Sequence, residues 1–256
     1  MTMWLASLTL WHRDIVRFMR QGSRVVGALA TPVVFWIVLG SGFGQSFKPD
    51  GTDGSGYLAW FFPGTVAMIV LFSAIFSTIS VIEDRQQGFL QGVLVAPCPR
   101  AAIAAGKLLG GTTLALMQAL PFLALAPLAG VNMAWSALPA TVATIALLGL
   151  ALTGLGFAIA WRLDSTQGFH AIMNLLLVPM WLLSGAVFPA SGASGWVRLL
   201  MAVNPMTYGV AALKHAMLGV VDGPSPLVAW TVTACFALAM LGLGTALVGR
   251  ESRAGR

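Results

Sequence analysis

Six long apolar intervals, at about 25–43, 57–82, 102–128, 136–161, 169–188 and 227–248, hold almost no ionisable residues, and most of the fourteen Lys and Arg fall between them. A helix needs roughly 20 apolar residues to cross a hydrocarbon core about 30 Å thick. Each interval approaches or exceeds that length, so the pattern predicts an all-α integral membrane protein with six transmembrane helices. Composition agrees: hydrophobic residues make up 58% of the 256 and charged residues 9%, more apolar surface than an exterior facing water calls for. Pro121 and Pro127 fall in the third interval, where loss of backbone donors is expected to kink the helix. Cys98 and Cys235 lie in unlike environments, one in a polar loop and one in a span, so no disulfide is expected.

With six spans both termini lie on one side. Eleven basic residues then fall on that side, from Arg13, Arg17, Arg20 and Arg24 through Arg85, Arg100, Lys107 and Arg162 to the three arginines after position 249. Lys48, Arg198 and Lys214 remain for the other. Basic residues are retained in the cytoplasm during insertion, which makes both termini cytoplasmic. The net charge of +6 follows from topology and anionic headgroups, and calls for no nucleic-acid partner. The first residues lack the apolar core and cleavage site of a signal peptide and are expected to be retained. Within residues 1–24, Trp4, Leu8, Trp11, Ile15 and Phe18 recur at spacings of three or four, with arginines on other faces. That spacing predicts an amphipathic interfacial helix, its aromatics in lipid and its arginines at headgroups. The expected organisation is one unit: this helix, a six-span core over 25–249, and a cytoplasmic tail over 250–256.

Ion paths and proton relays keep ionisable residues inside the membrane despite their cost, and these spans offer few. Lys107 is near a cytoplasmic end, where it can snorkel. His170 begins the fifth span, in an interfacial position. Asn174, a turn deeper, serves either an interhelical hydrogen bond or the substrate path. His12, His170 and His215 are too scattered for a metal cluster. A phosphate-binding loop G-x-x-x-x-G-K-[ST] is absent, so ATP and Mg, if used, belong on another polypeptide. Glycines 149, 154 and 156 in the fourth span have the spacing for close helix packing.

The loop EDRQQGFLQGVLVAPCPR, residues 83–100, is the most distinctive stretch. Glu83, Asp84 and Arg85 are expected to be the first residues in water after the second span. Phe89, Leu90, Val93 and Leu94 form an apolar stripe on a short helix that Pro97 and Pro99 stop, before Arg100 marks the return to the membrane. Such a stripe either lies on lipid or docks into a groove on a cytoplasmic partner.

The stretch resembles the first cytoplasmic loop of permeases in the type-2 ATP-binding cassette (ABC) exporter superfamily, whose pattern is approximately Glu-x-x-x-x-Gly-Thr-Leu-Glu-x-Leu-Leu-Val-x-Pro-x-x-Arg. Glu83, Gly88, Leu90, Leu94, Val95, Pro97 and Arg100 match it, while Phe89, Gln91 and Val93 depart from it. LLSGAVFP at 182–189 and NPMTYGVAALKHAMLG at 204–219 resemble the family's external region. The resemblance implies a non-enzymatic membrane subunit of the bacterial cytoplasmic membrane. It pairs with a second copy, or a paralogue, above two copies of a separate ATPase that bind ATP and Mg. The helix at about 85–96 would dock in the ATPase, with Glu83 anchoring the loop's start and Pro97 fixing its exit. Arg162 and Asp164 would form a second cytoplasmic contact or act as interface anchors. Phe188, Pro189, Asn204 and Pro205 would belong to an external re-entrant segment that gates the path or forms an inert loop. The implied cargo is amphipathic or lipid-linked. A channel or secondary carrier working without ATP is the other class, and a membrane scaffold a third.

Overall fold

The computed structural model describes residues 3–20, 22–43, 56–95 and 99–254, and every regular element in them is a helix. The longer ones are α1 (Met3–Met19), α2 (Gly22–Gly42), α3 (Tyr57–Ser77), α4 (Ile79–Gln86), α5 (Phe89–Val95), α6 (Arg100–Leu123), α7 (Leu138–Ala160), α8 (Thr166–Leu182), α9 (Gly195–Val203), α10 (Pro205–Leu218) and α11 (Pro226–Ala254). Helix α3 is the axis of the bundle. It is apolar on all sides and is buried against α2, α6, α7 and α10, with Phe61, Phe62, Ile69 and Leu71 wholly inaccessible. A helix with no polar face is stable only when neighbours or lipid surround it.

Four stretches are long and apolar enough to cross a membrane: Tyr57–Gln86, Arg100–Leu123, Trp135–Ala160 and Pro226–Gly249. The first expected span corresponds to α2, whose apolar part is the shorter Leu29–Gly42. The fifth corresponds to α8, 17 residues long. It stops early because the chain turns at Gly185, whose φ of 78° suits a residue without Cβ, and Asn204 then takes up the free carbonyls. Its Nδ2 donates to the carbonyls of Met180 (2.6 Å) and Leu183 (3.0 Å), and its Oδ1 accepts from the Met206 N–H as the N-cap of α10.

The expected kink in the third span is instead an end. Pro121 sits in the last turn of α6, and Pro127 lies in a 3₁₀ turn, Ala126–Ala129, beyond it. A proline in the last turn lacks the N–H that would close a bond to the carbonyl four residues back, and with only two helical residues after it the chain leaves the helix there rather than bending within it. The glycines of α7 do provide close contacts, each with a different neighbour. A Cβ at Gly154 would lie 2.6 Å from Met240 Cβ of α11, and one at Gly156 would lie 3.2 Å from Ile75 Cα of α3. One at Gly149 would lie 3.5 Å from Ala115 Cβ of α6.

Two polar regions sit at opposite ends of the bundle. Tyr57, at the start of α3, donates its hydroxyl to the Val187 carbonyl (2.9 Å) beside the α9–α10 hairpin. Asp84, near the end of α4, meets α1 and α6.

Candidate functional site

Helix α1 lies along α6 because α6 offers a glycine where the two backbones meet. A Cβ at Gly106 would be 2.9 Å from the Ser7 carbonyl oxygen and 2.9 Å from Leu10 Cβ. Ser7 Oγ donates to the Ala102 carbonyl (3.1 Å), and Trp11 Nε1 donates to Thr113 Oγ1 (3.0 Å). The buried face of α1 is Ala6, Ser7, Leu10 and Asp14, whereas Trp4 and Leu8 are exposed. The outward half of the expected apolar stripe is therefore free to face lipid, while a small and polar stripe docks on the protein.

This docking delivers Arg13, Asp14 and Arg17 to the end of α4. Asp84, expected in water, is instead fully buried. Its Oδ1 accepts from Arg13 (2.7 Å) and Arg17 (3.0 Å), and its Oδ2 accepts from Arg13 (2.9 Å) and Lys107 (2.6 Å). Lys107 does not snorkel: it is 5% exposed and donates also to Asp14 Oδ1 (3.0 Å) and Ser80 Oγ (3.2 Å). Arg17 completes the set with an ion pair to Glu83 Oε2 at 2.8 Å. Three cations thus face three carboxylates, and Arg13 and Arg17 serve the protein interior instead of headgroups. A buried carboxylate is tolerated only when its charge and lone pairs are satisfied. Hydrogen bonding to Asp84 holds the Arg13 guanidinium above its ordinary range, outweighing its partial burial. Burial pushes the Asp14 carboxyl up, against the pull of Lys107.

The cluster also positions the cytoplasmic loop. The Arg13 guanidinium stacks 3.7 Å from the centre of the Phe89 ring, at the start of α5. Leu90 is 3% exposed and belongs to the core, and Val93 is half-buried against it. Most of the described stripe thus faces the permease body, while Gln91, Gly92 and Val95 point outward. Gly88 allows this by turning the chain with φ 75° between α4 and α5. Of Leu94 only the backbone is described, and Pro97 lies outside the described residues. Arg100 opens α6.

The two cytoplasmic loops are stitched together. Arg85 donates to Asp164 Oδ1 (3.0 Å) and to the carbonyls of Leu163 and Trp161, and Gln86 donates to the Asp164 carbonyl (2.7 Å). Arg162 is exposed beside them. Asn174 is also exposed and, among the described residues, makes no hydrogen bond within the chain; it shares its outward surface with Leu175 and Val178. Phe188, Pro189, Asn204 and Pro205 are half-buried at the other end of the bundle. The sequence reading missed Asp14 and the buried role of Asp84. The available signal was Lys107, a cation in an apolar helix that needed a carboxylate partner.

The sequence profile of the family described as ABC-2 type transporter matches residues 6–218. The chain belongs to that family. It is a type-2 ABC permease, a membrane transport subunit. It is 28% identical over 219 residues to nodulation protein J of Rhizobium leguminosarum bv. viciae, covering 84% of this chain and 82% of that protein. Nodulation protein J of Rhizobium meliloti (strain 1021) is 27% identical over 255 residues, 97% of this chain and 93% of the relative. The probable doxorubicin resistance ABC transporter permease protein DrrC of Mycobacterium tuberculosis (strain CDC 1551 / Oshkosh) is 24% identical over 244 residues, 91% and 82% of the two chains. The family match takes in the cytoplasmic loop, the charge cluster and the helices from α2 to α10.

Proposed function

We propose that this permease is the membrane half of an ATP-driven exporter, with two copies forming the path and two separate ATPase subunits binding ATP and Mg beneath them. The observation that carries the reading is α5, a short helix fixed to the body by Phe89 and Leu90 while Gln91, Gly92 and Val95 stay outward. A rigidly held helix with an unoccupied outer face suits docking into a groove on a partner. Arg162, beside the Arg85–Asp164 pair, adds a second contact. Helices α2 and α8 complete six spans beside the four longer ones. Both termini then lie on the cytoplasmic face of a bacterial cytoplasmic membrane. The exposed apolar face of α8 around Asn174 meets the second copy and the path. The α9–α10 hairpin, with Phe188, Pro189, Asn204 and Pro205, closes the external end.

The cargo is amphipathic or lipid-linked, which fits the apolar faces and agrees with a relative named for resistance to doxorubicin. The buried Asp14 and Asp84 are carboxylates of the kind an ATP-independent carrier would use, but both are already paired with Lys107. The test is co-purification with a phosphate-loop ATPase and transport in vesicles. Val95→Asp and Gln91→Arg should weaken association by about tenfold, equivalent to about 1.4 kcal/mol, and lower ATP-dependent transport with it. Undiminished association would remove α5 as the docking element. Transport at full rate without any ATPase would overturn the exporter reading.

A further inference from the structure

The stretch Tyr57–Gln86 is one apolar segment but two helices: α3 ends at Ser77, α4 begins at Ile79, and Thr78 stands between them. An uninterrupted α-helix would give the Thr78 N–H to the Ala74 carbonyl. It donates instead to the Ile75 carbonyl (3.0 Å), and the Val81 N–H likewise reaches back only three residues, to Thr78 (2.9 Å). Side chains also return to these carbonyls. Ser77 Oγ donates to Ala74 O (2.7 Å), and Thr78 Oγ1 donates to Ile75 O (2.6 Å). Hydroxyls used in this way satisfy a broken ladder within a membrane and bend the helix. A short run of three-residue bonding inside a helix often marks a hinge. One back-bonded hydroxyl is not enough to break this helix: Thr65 Oγ1 donates to the Phe61 carbonyl (3.3 Å), and α3 runs on through it.

The neighbouring helices are shaped to this break. A Cβ at Gly111 of α6 would lie 2.5 Å from Ser77 Oγ, and one at Gly156 of α7 would lie 2.9 Å from Thr78 Oγ1. Both glycines therefore make room for the hydroxyls. Length places the break as well. The 21 residues of α3 cover about 31 Å at 1.5 Å each, which matches a hydrocarbon core of about 30 Å. Thr78 thus lies where the span leaves the hydrocarbon. Beyond it, α4 carries Ser80 and Asp84 to Lys107, whose flexible four-carbon stem can follow a small bend. Residues 76–81 also line a cavity of about 300 Å³ beside the charge cluster, which is room for such a bend.

We propose that Thr78 is a hinge on which α4 and α5 swing as one piece, so that a push on the loop moves this end of the bundle while α3 stays fixed in the core. The hinge rests on the exporter reading only for the source of the push, and the bend itself belongs to this chain. From Thr78 to Gln86 is about 12 Å of helix. A bend of about 20° moves its end by about 4 Å.

For the test, Cys98 and Cys235 are replaced by serine and spin labels are placed at Gln87, exposed at the end of α4, and at Ala143, exposed on α7. The labelled permease is diluted with unlabelled copies in nanodiscs, and the distance is read by double electron–electron resonance. Without the ATPase, the parent should show a spread of distances about 4 Å wider than Ser77→Ala/Thr78→Ala, in which alanine favours a continuous ladder. Each single replacement should fall between the two, which decides the matter if the double variant does not fold. Thr65→Ala makes the same kind of change within α3 and should leave the parent's spread unaltered. Equal spreads in the parent and the Ser77 and Thr78 variants, or the same narrowing in Thr65→Ala, would overturn the hinge. With the ATPase and an ATP analogue bound, the parent distance should shift by about 4 Å and that of the double variant by less than half as much; equal shifts would also overturn it. Failure of the ATPase to bind would count against the exporter reading, while the spreads measured without it still decide the hinge.

Discussion

At the scale of single residues, Asp84 is the most demanding group in the chain. Its burial is offset only because Arg13, Arg17 and Lys107 converge on it from two other helices. Asp84→Ala leaves Lys107 buried and Arg13 without its bidentate partner. The expected cost is about 3–5 kcal/mol, seen as a fall in Tm and in the yield of monodisperse protein. Asp84→Asn keeps the shape and loses the charge, so its cost should fall below that of Ala. Equal stability of Asp84→Ala and the parent would show that the cluster is not structural. Lys214 poses the same problem at the other end. It is 1% exposed, pairs with Asp222 at 2.8 Å, and stands 3.4 Å from the centre of the Trp60 ring. Burial nevertheless lowers its pKa from 10.5 to about 8. Between about 8 and 10.5 the unfolded chain holds a proton that the folded one has released. Stability therefore rises with pH across that window, and the cost of the buried charge is fully present below it. Thermal unfolding across this range should show the rise in the parent and not in Lys214→Met; parallel profiles would refute it.

At the scale of helices, the apolar intervals were legible because spanning length and hydrophobicity are properties of a segment alone. Helix α7 at Leu138–Ala160 and α11 from Pro226 fall close to their expected positions. The face that α1 presents was not legible. Periodicity marked Trp4, Leu8 and Trp11 as one stripe, yet the surface that docks is set by what α6 offers at Gly106 and Gly110. The loop stripe misled for a similar reason: an apolar face reads identically whether it packs inward or outward, and only the Arg13–Phe89 stack and the burial of Leu90 decide. Gly106→Ala tests the close approach. The added Cβ meets backbone and a rigid Cβ, so overpacking should cost about 1–3 kcal/mol. At Gly92, where a Cβ would meet nothing within 4 Å, the same substitution should be neutral or slightly stabilising by helix propensity. Equal Tm for the two variants would mean that α1 docks more loosely than its contacts indicate.

At the scale of the whole molecule, a push at the loop must reach the spans. Arg13 touches both ends of that route, gripping Asp84 through two hydrogen bonds and covering Phe89 on α5. Arg85 adds a brace from α4 to the 161–164 turn. If α5 follows the ATPase, Arg13 makes α4 and α1 follow α5. Lysine is the informative replacement, because it keeps the charge but loses the planar fork and the stacked face. Arg13→Lys should leave ATPase association within about twofold of the parent, a change of under about 0.5 kcal/mol, since the outward residues of α5 are untouched. ATP hydrolysis should continue while cargo moved per ATP falls, because the loop can then move without carrying the body. The measurement is transport and hydrolysis in the same vesicles. A proportional fall in both would mark a folding or docking defect, and an unchanged ratio would show that the α1–α4–α5 contact holds the structure together without transmitting motion.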